Sequence, residues 1–396
     1  MNAEQRFFLS ILKDHVQGTA CAAVPKALDW DRVYSYAEEQ SLLGICYIQL
    51  RELSKKTDIP PETLEKFHHG FFHDAYVAAN QQAFGEEVEE LFRASEIPYH
   101  TFKGWTVKES WPVPMLRTMG DVDILIHTTD RRQSDSIMKQ LRYKRHIDNH
   151  AVWTYYKKDI IIEIHDHMFY EHLMNDVDYR GYFDHAWENL DSEHKEGFHF
   201  LYLVAHLAKH TINNGIGFRA FLDLVFTYQN NSVQMDWNWI REELAKIKLL
   251  HFTEICLTFC NKWFGLESPI PIGIIDNEFF LFATDKIFRD GVFGLENEQN
   301  TASDSAKEIT YYKGPYWSSA IKLTLHRLFP PYKDMQLVSW YSFVDGRPWL
   351  LPVAWAYRWG YILIHKKKYG EERILEPIRK KEIIEDRQRL MREWGL

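Results

Sequence analysis

Cysteine is scarce in this chain, with four among 396 residues. No two cysteines form a CxxC pair, which excludes a zinc ribbon and a thioredoxin-like redox motif. Four cysteines cannot cross-link a chain of this length, and Cys256 and Cys260 lie one helical turn apart in an apolar segment. We therefore expect buried thiols in a reducing compartment.

Long apolar runs and an excess of positive charge are also missing. The N-terminal MNAEQRFFLSILKDH has no basic region ahead of an apolar run, and the most apolar late stretch, 349–364, is short and contains Pro352 and Arg358. We therefore expect a soluble, cytoplasmic protein without a secretory signal or a membrane span. The net charge of −9 argues against a broad basic surface for long nucleic acid.

Aromatic residues, in contrast, are abundant: they make up 15% of the chain and include 14 tryptophans. They predict a large aromatic core, and the length predicts two or more compact bodies. The Trp-rich region 340–361, with the basic HKKK after it, also permits contact with a membrane surface. Pro348 and Pro352 interrupt that region, so we favour aromatic packing under a helical domain.

The pattern of apolar residues predicts an α+β fold. Helical periodicity over 30–53 and 61–92 predicts an N-terminal helical subdomain, 1–96. Short β-like runs follow, ending in a hairpin that turns near Lys158 and Asp159, and they predict a small mixed β-sheet in an α/β core, 97–185. Helices return in a C-terminal helical region, 186–396. That region contains a loop-rich insertion near 268–313 and a charged amphipathic helix over 373–394.

Acidic residues stand at alternate positions in two predicted strands. Because residues two apart in a strand point to the same side, Asp121 and Asp123 share a face of one strand. Glu163 and His165 likewise share a face of another strand. If the two strands are neighbours, the three carboxylates converge and need a compensating cation. Oxygen ligands of this kind suit Mg²⁺ or Mn²⁺. The alternative is a pair of solvated aspartates at the start of a strand.

Basic and small residues precede these acids. Lys103 and Gly104 follow a predicted strand directly, where a glycine lets the backbone approach a ligand and exposed amides can bind phosphate. Lys103 and Arg117 would add positive charge, and arginine suits bidentate contacts to phosphate. The alternative for both side chains is ion pairing with nearby acids.

The segments KG, WPVPMLRTMGDVDILI, YKR and VWTYYKKDIIIEIHDHMF together resemble a known family. They are similar to uncharacterised bacterial nucleotidyltransferases of the DNA polymerase β-like superfamily. The resemblance implies that Lys103 and Gly104 form the phosphate turn and that Asp121 and Asp123 are the metal-binding pair, with Glu163 as the third acid. The positions that match this particular branch are Arg117, Gly120 and His165.

The resemblance implies a Mg²⁺-dependent transferase. Such an enzyme moves a nucleoside monophosphate from a nucleoside triphosphate to an acceptor hydroxyl and releases pyrophosphate. Asp121 and Asp123 would hold the metals, and Glu163 would complete the site and assist deprotonation of the acceptor. Lys103, Gly104 and Arg117 would orient the phosphates. The acceptor stays open among small metabolites, glycans, proteins and RNA.

Two other hypotheses come from a departure from the superfamily's pattern and from a group of histidines. Trp105 follows Gly104 where the superfamily has a small residue, and this motivates a nucleotide- or ligand-binding protein that has lost turnover. His199, His206 and His210 share a helix face, which permits a metal-dependent hydrolase. However, the HLAKH segment lacks the glutamate of HExxH. We therefore interpret these histidines as core or groove-lining groups, with Lys209 and His210 as candidates for contact with phosphate.

Overall fold

The computed structural model describes residues 1–19, 24–146, 152–213, 215–292, 303–312, 314–336, 339–364 and 371–396. The described residues fall into two compact units. The first unit comprises residues within 1–211 and 215–295 together with 395–396, and the second comprises residues within 212–214 and 296–394. The predicted fold class, α+β with a small mixed sheet among helices, is confirmed.

Among the residues that the structure describes, four helices precede the sheet. They are α1 (Ala3–Gln17), α2 (Trp30–Glu39), α3 (Leu43–Leu53) and α4 (Pro61–Ala94). α1 starts with a capping box, in which the Asn2 side chain accepts from Gln5 N–H and the Gln5 side chain accepts from Asn2 N–H. Pro61 occupies the first turn of α4, where its missing N–H costs nothing. The predicted long helix over 61–92 is confirmed.

The single helical segment predicted over 30–53 is wrong, because the chain turns between α2 and α3. Ser41 has a φ of 54°, which a continuous helix does not allow. The cause is tertiary: the buried Gln40 side chain donates to the carbonyl of Ile287 and accepts from the backbone N–H of Phe218, both at 2.8 Å. The Gln40 amide thereby satisfies a donor at the start of a later helix.

In the described part of the chain the sheet has five strands, and it lies within the first unit. The elements of this region, in chain order, are β1 (Tyr99–Phe102), α5 (Gly104–Val107), β2 (Val122–Ile126), α6 (Arg131–Gln140), β3 (Lys144–Arg145), β4 (Val152–Lys157) and β5 (Ile160–His165). The spatial order is β1-β2-β5-β4-β3. β2 and β5 are parallel and the other neighbouring pairs are antiparallel. The predicted hairpin with its turn at Lys158 and Asp159 is confirmed.

Helices follow the sheet in both units. Those after β5 in the first part of the chain are α7 (Tyr179–Phe183), α8 (Ala186–Leu190), α9 (Lys195–Asn213), α10 (Phe218–Asn231), α11 (Trp237–Lys246), α12 (Leu250–Phe264) and α13 (Asn277–Asp290). The second unit contains α14 (Ser303–Thr310), α15 (Tyr316–Leu328), α16 (Tyr332–Gln336), α17 (Leu351–Ile364), α18 (Glu371–Arg379) and α19 (Lys381–Glu393). Among the described residues, no helix is both long and apolar enough to span a membrane.

Two predictions about the later chain need correction. The stretch 268–313, predicted to be rich in loops, contains the helices α13 and α14, while residues 293–302 and 313 lie outside the described part of the chain. The single helix predicted over 373–394 is divided at Lys380, whose ψ of 38° is not helical. The three-part division into 1–96, 97–185 and 186–396 stays a prediction.

The thiols agree with the sequence analysis where the structure describes them. Cys46, Cys256 and Cys260 are buried and none forms a disulfide, whereas Cys21 lies outside the described residues. In the Trp-rich region, Tyr341 and Val344 are buried and Trp349 is 70% exposed. Contact of that region with a membrane stays an unfavoured hypothesis.

The two faces of the sheet have different partners. One face presents alternate apolar residues that pack with α4 and α6; this core contains Val88, Phe92, Val122, Ile124, Ile126, Ile137, Met138, Ile160, Ile162 and Ile164. Strand alternation then directs Asp123, Glu163 and His165 to the opposite face. The same pattern that builds the core therefore gathers polar groups on the other side of the sheet.

A tryptophan fixes the distance between α4 and this core. A Cβ atom added to Gly85 would lie 2.4 Å from Cη2 of the Trp105 ring. Gly85→Ala should therefore lower the free energy of unfolding by about 1–3 kcal/mol, although alanine favours helices. Trp105→Phe lacks the outer ring atoms, so the double variant should recover part of the loss. Urea titrations of both singles and the double measure this coupling, and a Gly85→Ala protein as stable as wild type contradicts it.

Candidate active site

The parallel pairing of β2 with β5 builds the acidic site. In this register Asp123 is the Cα partner of Glu163, and Leu125 is the partner of His165. Asp123 and Glu163 therefore lie side by side on one face, with His165 two positions further along β5. The expectation that the two acid-bearing strands are neighbours is confirmed.

Asp123 is fully buried and held through one of its two oxygens. Lys103 Nζ lies 2.6 Å from Asp123 Oδ1, and His165 Nε2 lies 2.8 Å from the same atom. Burial opposes the ionised form, but the charge of Lys103 and the hydrogen bond from His165 outweigh it and lower the pKa of Asp123. Asp123 Oδ2 is buried and has no hydrogen-bond partner among the described residues.

Glu163 and His165 complete a compact group of potential metal ligands. His165 Nε2 lies 3.4 Å from Glu163 Oε2, and Lys103 Nζ lies 3.9 Å from the same oxygen. One ligand atom each from Asp123, Glu163 and His165 lies within 4.8 Å of the others, the one such group found among the described residues. Burial acts to raise the pKa of Glu163, but His165 and Lys103 lower it.

Asp121 stands beside this group without belonging to it. The negative charge of Asp123, together with burial, raises the pKa of Asp121 to about 6. Lys103 acts in the opposite direction but does not cancel that repulsion. Two acids in such a relation are stabilised by a shared cation. The sequence analysis grouped Asp121, Asp123 and Glu163, whereas the structure groups Asp123, Glu163 and His165.

Lys103 connects the turn after β1 to the acids. Its φ of 51° and ψ of −134° are unusual for a residue other than glycine, and such strain occurs often at functional sites. Burial opposes the charge of the ammonium group, but Asp123 and other nearby negative groups raise the pKa of Lys103 well above its usual value. The strained backbone thus delivers a charged amine to the Asp123 carboxylate.

Gly104 and Arg117 are packed against each other. A Cβ atom on Gly104 would lie 2.3 Å from Arg117 Nη1, so a larger residue there would displace the guanidinium. The Arg117 guanidinium forms a buried bidentate pair with Asp223, with Nε–Oδ1 and Nη2–Oδ2 distances of 3.1 and 2.9 Å. Trp111 Nε1 donates to the same carboxylate at 2.9 Å. These contacts tie the turn to α10, and phosphate contact remains a prediction for both residues.

Gly120 precedes Asp121 at an exposed position. A Cβ atom there would meet nothing within 4 Å, and the residue does not have a positive φ. The chain therefore does not require glycine at this point for packing or for backbone conformation. Open space beside Asp121 leaves room for a ligand, and the assignment of Gly120 to phosphate binding remains a prediction.

Trp105, which motivated the hypothesis of lost turnover, points into the core. Its ring packs in the apolar cluster on the opposite face of the sheet from Asp123. Its Nε1 donates to Glu89 at 2.8 Å, and Lys108 Nζ lies 3.3 Å from the ring centroid. The indole therefore anchors the turn to α4 and does not fill the space beside the acids.

Helix α9 presents a row of aromatic and imidazole side chains. The Tyr202 ring contacts Phe102 edge-on, with 5.4 Å between ring centroids, and stacks with the His206 ring at a centroid distance of 5.8 Å. His206 Nε2 lies 3.1 Å from His210 Nε2. Lys209 Nζ pairs with Glu171 at 2.5 Å. Burial lowers the pKa of His210 to about 4. Contact of Lys209 and His210 with phosphate remains a prediction.

Sequence reasoning missed Tyr202 and Glu171. Tyr202 precedes His206 and His210 by four and eight residues, so helical spacing was a signal that could have found it. Glu171 lies between β5 and α7 in a segment without regular spacing, and no signal marked it as the partner of Lys209. His206 and His210 lie outside the group of potential metal ligands among the described residues.

The model of a family described as "Uncharacterised nucleotidyltransferase" matches residues 26–265. The chain belongs to this family. No curated protein matches the chain. No solved structure matches it either. The match covers helices α2 to α4, the sheet and helices α5 to α12, so the acidic group lies inside the matched region.

Nucleotidyltransferases typically use divalent metal ions, and the acidic site of this family member fits one. The fit rests on Asp123 Oδ2, which is buried without a hydrogen-bond partner among the residues that the structure describes, on the neighbouring Glu163, and on Asp121, whose charge Asp123 repels. A divalent cation near these oxygens would relieve the repulsion between the acids. The identity of the metal is a separate question, because carboxylates accept both Mg²⁺ and Mn²⁺.

His199 on α9 behaves as a core histidine. It is 4% exposed, its Nε2 has no partner among the described residues, and burial lowers its pKa to about 4. An unfolded histidine titrates near 6.5, so between these values the unfolded state binds more protons and stability falls as the pH falls.

Replacing this histidine should make the fold less sensitive to acid. His199 should cost about 2 kcal/mol of stability between pH 7 and pH 5. In His199→Leu that part of the pH dependence should disappear, as measured by urea unfolding at both values. His185→Leu, at an exposed histidine, is the control. An unchanged pH dependence in His199→Leu would show that His199 is not held neutral by burial.

Proposed function

We propose that this protein is a metal-dependent nucleotidyltransferase that moves a nucleoside monophosphate from a nucleoside triphosphate to an acceptor hydroxyl and releases pyrophosphate. The observation that carries the proposal is the register of β2 and β5, which places Asp123 beside Glu163, with one buried Asp123 oxygen that has no partner in the described part of the chain. Membership of the nucleotidyltransferase family supports the reaction class.

In this proposal the carboxylates of Asp121, Asp123 and Glu163 hold the metal, for which Mg²⁺ and Mn²⁺ are the candidates. A bound divalent cation would neutralise phosphate charge and favour in-line attack by the acceptor oxygen. His165 holds Asp123 in position: a carboxylate oxygen can only accept, so the 2.8 Å contact places the proton on His165 Nε2. His165 therefore acts as a positioning residue.

The remaining roles follow from charge and exposure. Lys103 carries a persistent positive charge next to Asp123, which suits it to contact a phosphate oxygen. The Glu163 side chain is 24% exposed, more than Asp123 at 1%, so Glu163 is the acid that an acceptor hydroxyl can reach. We propose that Glu163 assists deprotonation of that hydroxyl. The buried pair Arg117–Asp223 supports the turn, and contact of Arg117 with phosphate remains a prediction.

A second candidate is a nucleotide-binding protein without turnover. The observation that favours it is the 2.6 Å contact between Lys103 and Asp123, because a lysine already neutralises a carboxylate that a cation would use. Titration calorimetry with Mn²⁺ and each ribonucleoside triphosphate, beside an assay for pyrophosphate release, separates the two. Binding without release would favour this second candidate.

The proposal predicts opposite effects of one substitution on activity and stability. Asp121→Asn removes a charge that repels Asp123, so the metal-free protein should be as stable as wild type or more stable. The same change removes a metal-holding carboxylate, so transfer should fall by about 100-fold or more. Labelling from α-³²P nucleoside triphosphates and pyrophosphate release measure activity, and thermal unfolding measures stability.

The double variant Asp121→Asn with Asp123→Asn should lose labelling entirely. Asp159→Asn is the matched control, because it makes the same chemical change at the exposed turn of the same sheet. Labelling by the double variant at the wild-type rate, under conditions where wild type releases pyrophosphate, would eliminate the proposed catalytic role of these acids.

A further inference from the structure

An open cavity of about 550 Å³ lies within the first unit, and its lining includes the residues that lead into Asp121. Helices α2 and α4, the turn before β2 and the start of α10 form its walls. The lining residues that matter here are Tyr34, Glu38, Asp74, Gln81, Met119 and Arg219. Cavities of this volume are typical of sites for small molecules.

The turn before β2 joins this cavity to the acids. Thr118 and Met119 line the cavity, and Asp121 follows two residues after Met119. Arg219 Nη1 donates to the carbonyl and the hydroxyl oxygen of Thr118, both at 3.1 Å. Gln81 Nε2 donates to the carbonyl of Met119 at 3.0 Å. The cavity wall and the metal-holding acid therefore share one rigidly held turn.

The charges of the lining residues distinguish this cavity from a site that binds triphosphate. Glu38 and Asp74 contribute carboxylates to its outer part, and Asp74 Oδ1 lies 3.6 Å from His73 Nδ1. Among the described residues that line the cavity, Arg219 is the one arginine or lysine. Its guanidinium already donates a hydrogen bond to Thr118. A triphosphate would meet two negative charges, whereas a cationic group would be attracted to them.

A buried acceptor atom marks the inner wall. Gln81 is 2% exposed, and its Oε1 has no hydrogen-bond partner in the part of the chain that the structure describes. The bond from Gln81 Nε2 to Met119 fixes the amide so that Oε1 is the group left to accept. An unpaired buried acceptor costs free energy, so the site favours a ligand that brings a donor.

We infer that this cavity binds the acceptor, and that the acceptor is a small cationic molecule that carries hydroxyl groups, of the amino alcohol or amino sugar class. This inference rests on the proposed nucleotidyl transfer. An ammonium group lies near Glu38 and Asp74, and a hydroxyl or amine donates to Gln81 Oε1. The acceptor hydroxyl then extends past Met119 towards Asp121.

Methionine-methyl NMR tests the site without any nucleotide. The protein is labelled with [ε-¹³C]methionine, and the Met119 signal is assigned from Met119→Leu. Glucosamine, glucose and glucose 6-phosphate serve as probes, since they share one ring and differ in charge. Glucosamine should shift the Met119 signal and bind about fivefold more tightly than glucose, and glucose 6-phosphate should bind more weakly than either.

Removing the two carboxylates should abolish that preference. In Glu38→Gln with Asp74→Asn, glucosamine should bind no better than glucose. The control Glu39→Gln with Glu62→Gln makes the same charge change at exposed positions on α2 and α4 outside the cavity, and should keep the preference. Binding of Mn²⁺ and nucleoside triphosphate, measured by calorimetry, should be unchanged in both double variants.

The possible results separate this inference from the proposed function. Equal affinity for glucosamine and glucose in wild type, no shift at Met119, or an unchanged preference without Glu38 and Asp74 would each overturn the inference. Weaker triphosphate binding in the cavity variant would overturn the assignment to the acceptor. A charge-dependent shift at Met119 in a protein that releases no pyrophosphate would support the cavity and remove the proposed reaction.

Discussion

The carboxylate of Asp123 is buried and ionised, and donors from two different parts of the chain contact it. The rest of the site is arranged around this carboxylate. Lys103 reaches it from a strained turn, and His165 reaches it from β5. Both donors use Oδ1, so the compensation is one-sided and Oδ2 is left without a partner among the described residues. A buried anion held in this way is stable without a metal and still offers an oxygen to one.

Successive side chains of a strand point to opposite faces of the sheet. The same short strands therefore supply both the apolar core and the polar site. Ile162 and Ile164 pack with α4 and α6 on one face of the sheet. Glu163 and His165, which alternate with them along β5, lie on the other face. Trp105 belongs to the apolar face. Its position ties the turn that carries Lys103 to α4, so a large side chain in a place typical of small residues stabilises the turn and leaves the acidic face open.

The sequence was sufficient for features with a short, fixed period, which include the hairpin, the shared strand face of Glu163 and His165, and the long helix α4. It was insufficient where distant residues decide. Gln40 breaks a helix because it bonds to Phe218 and Ile287. Arg117 pairs with Asp223, 106 positions away, and nothing local shows that pairing. Asp121 lies just before β2 and outside the group of Asp123, Glu163 and His165, although strand period alone grouped it with Asp123.

Anomalous X-ray diffraction from crystals soaked with Mn²⁺ tests the central claim most directly, because it locates the cation without relying on turnover. The account predicts one strong anomalous peak within coordination distance, about 2.0–2.3 Å, of Asp123 Oδ2 and a Glu163 oxygen, with Asp121 turned towards it. A peak held instead by His206 and His210, or no peak at the Asp123 carboxylate while Lys103 stays bound to it, would contradict the account.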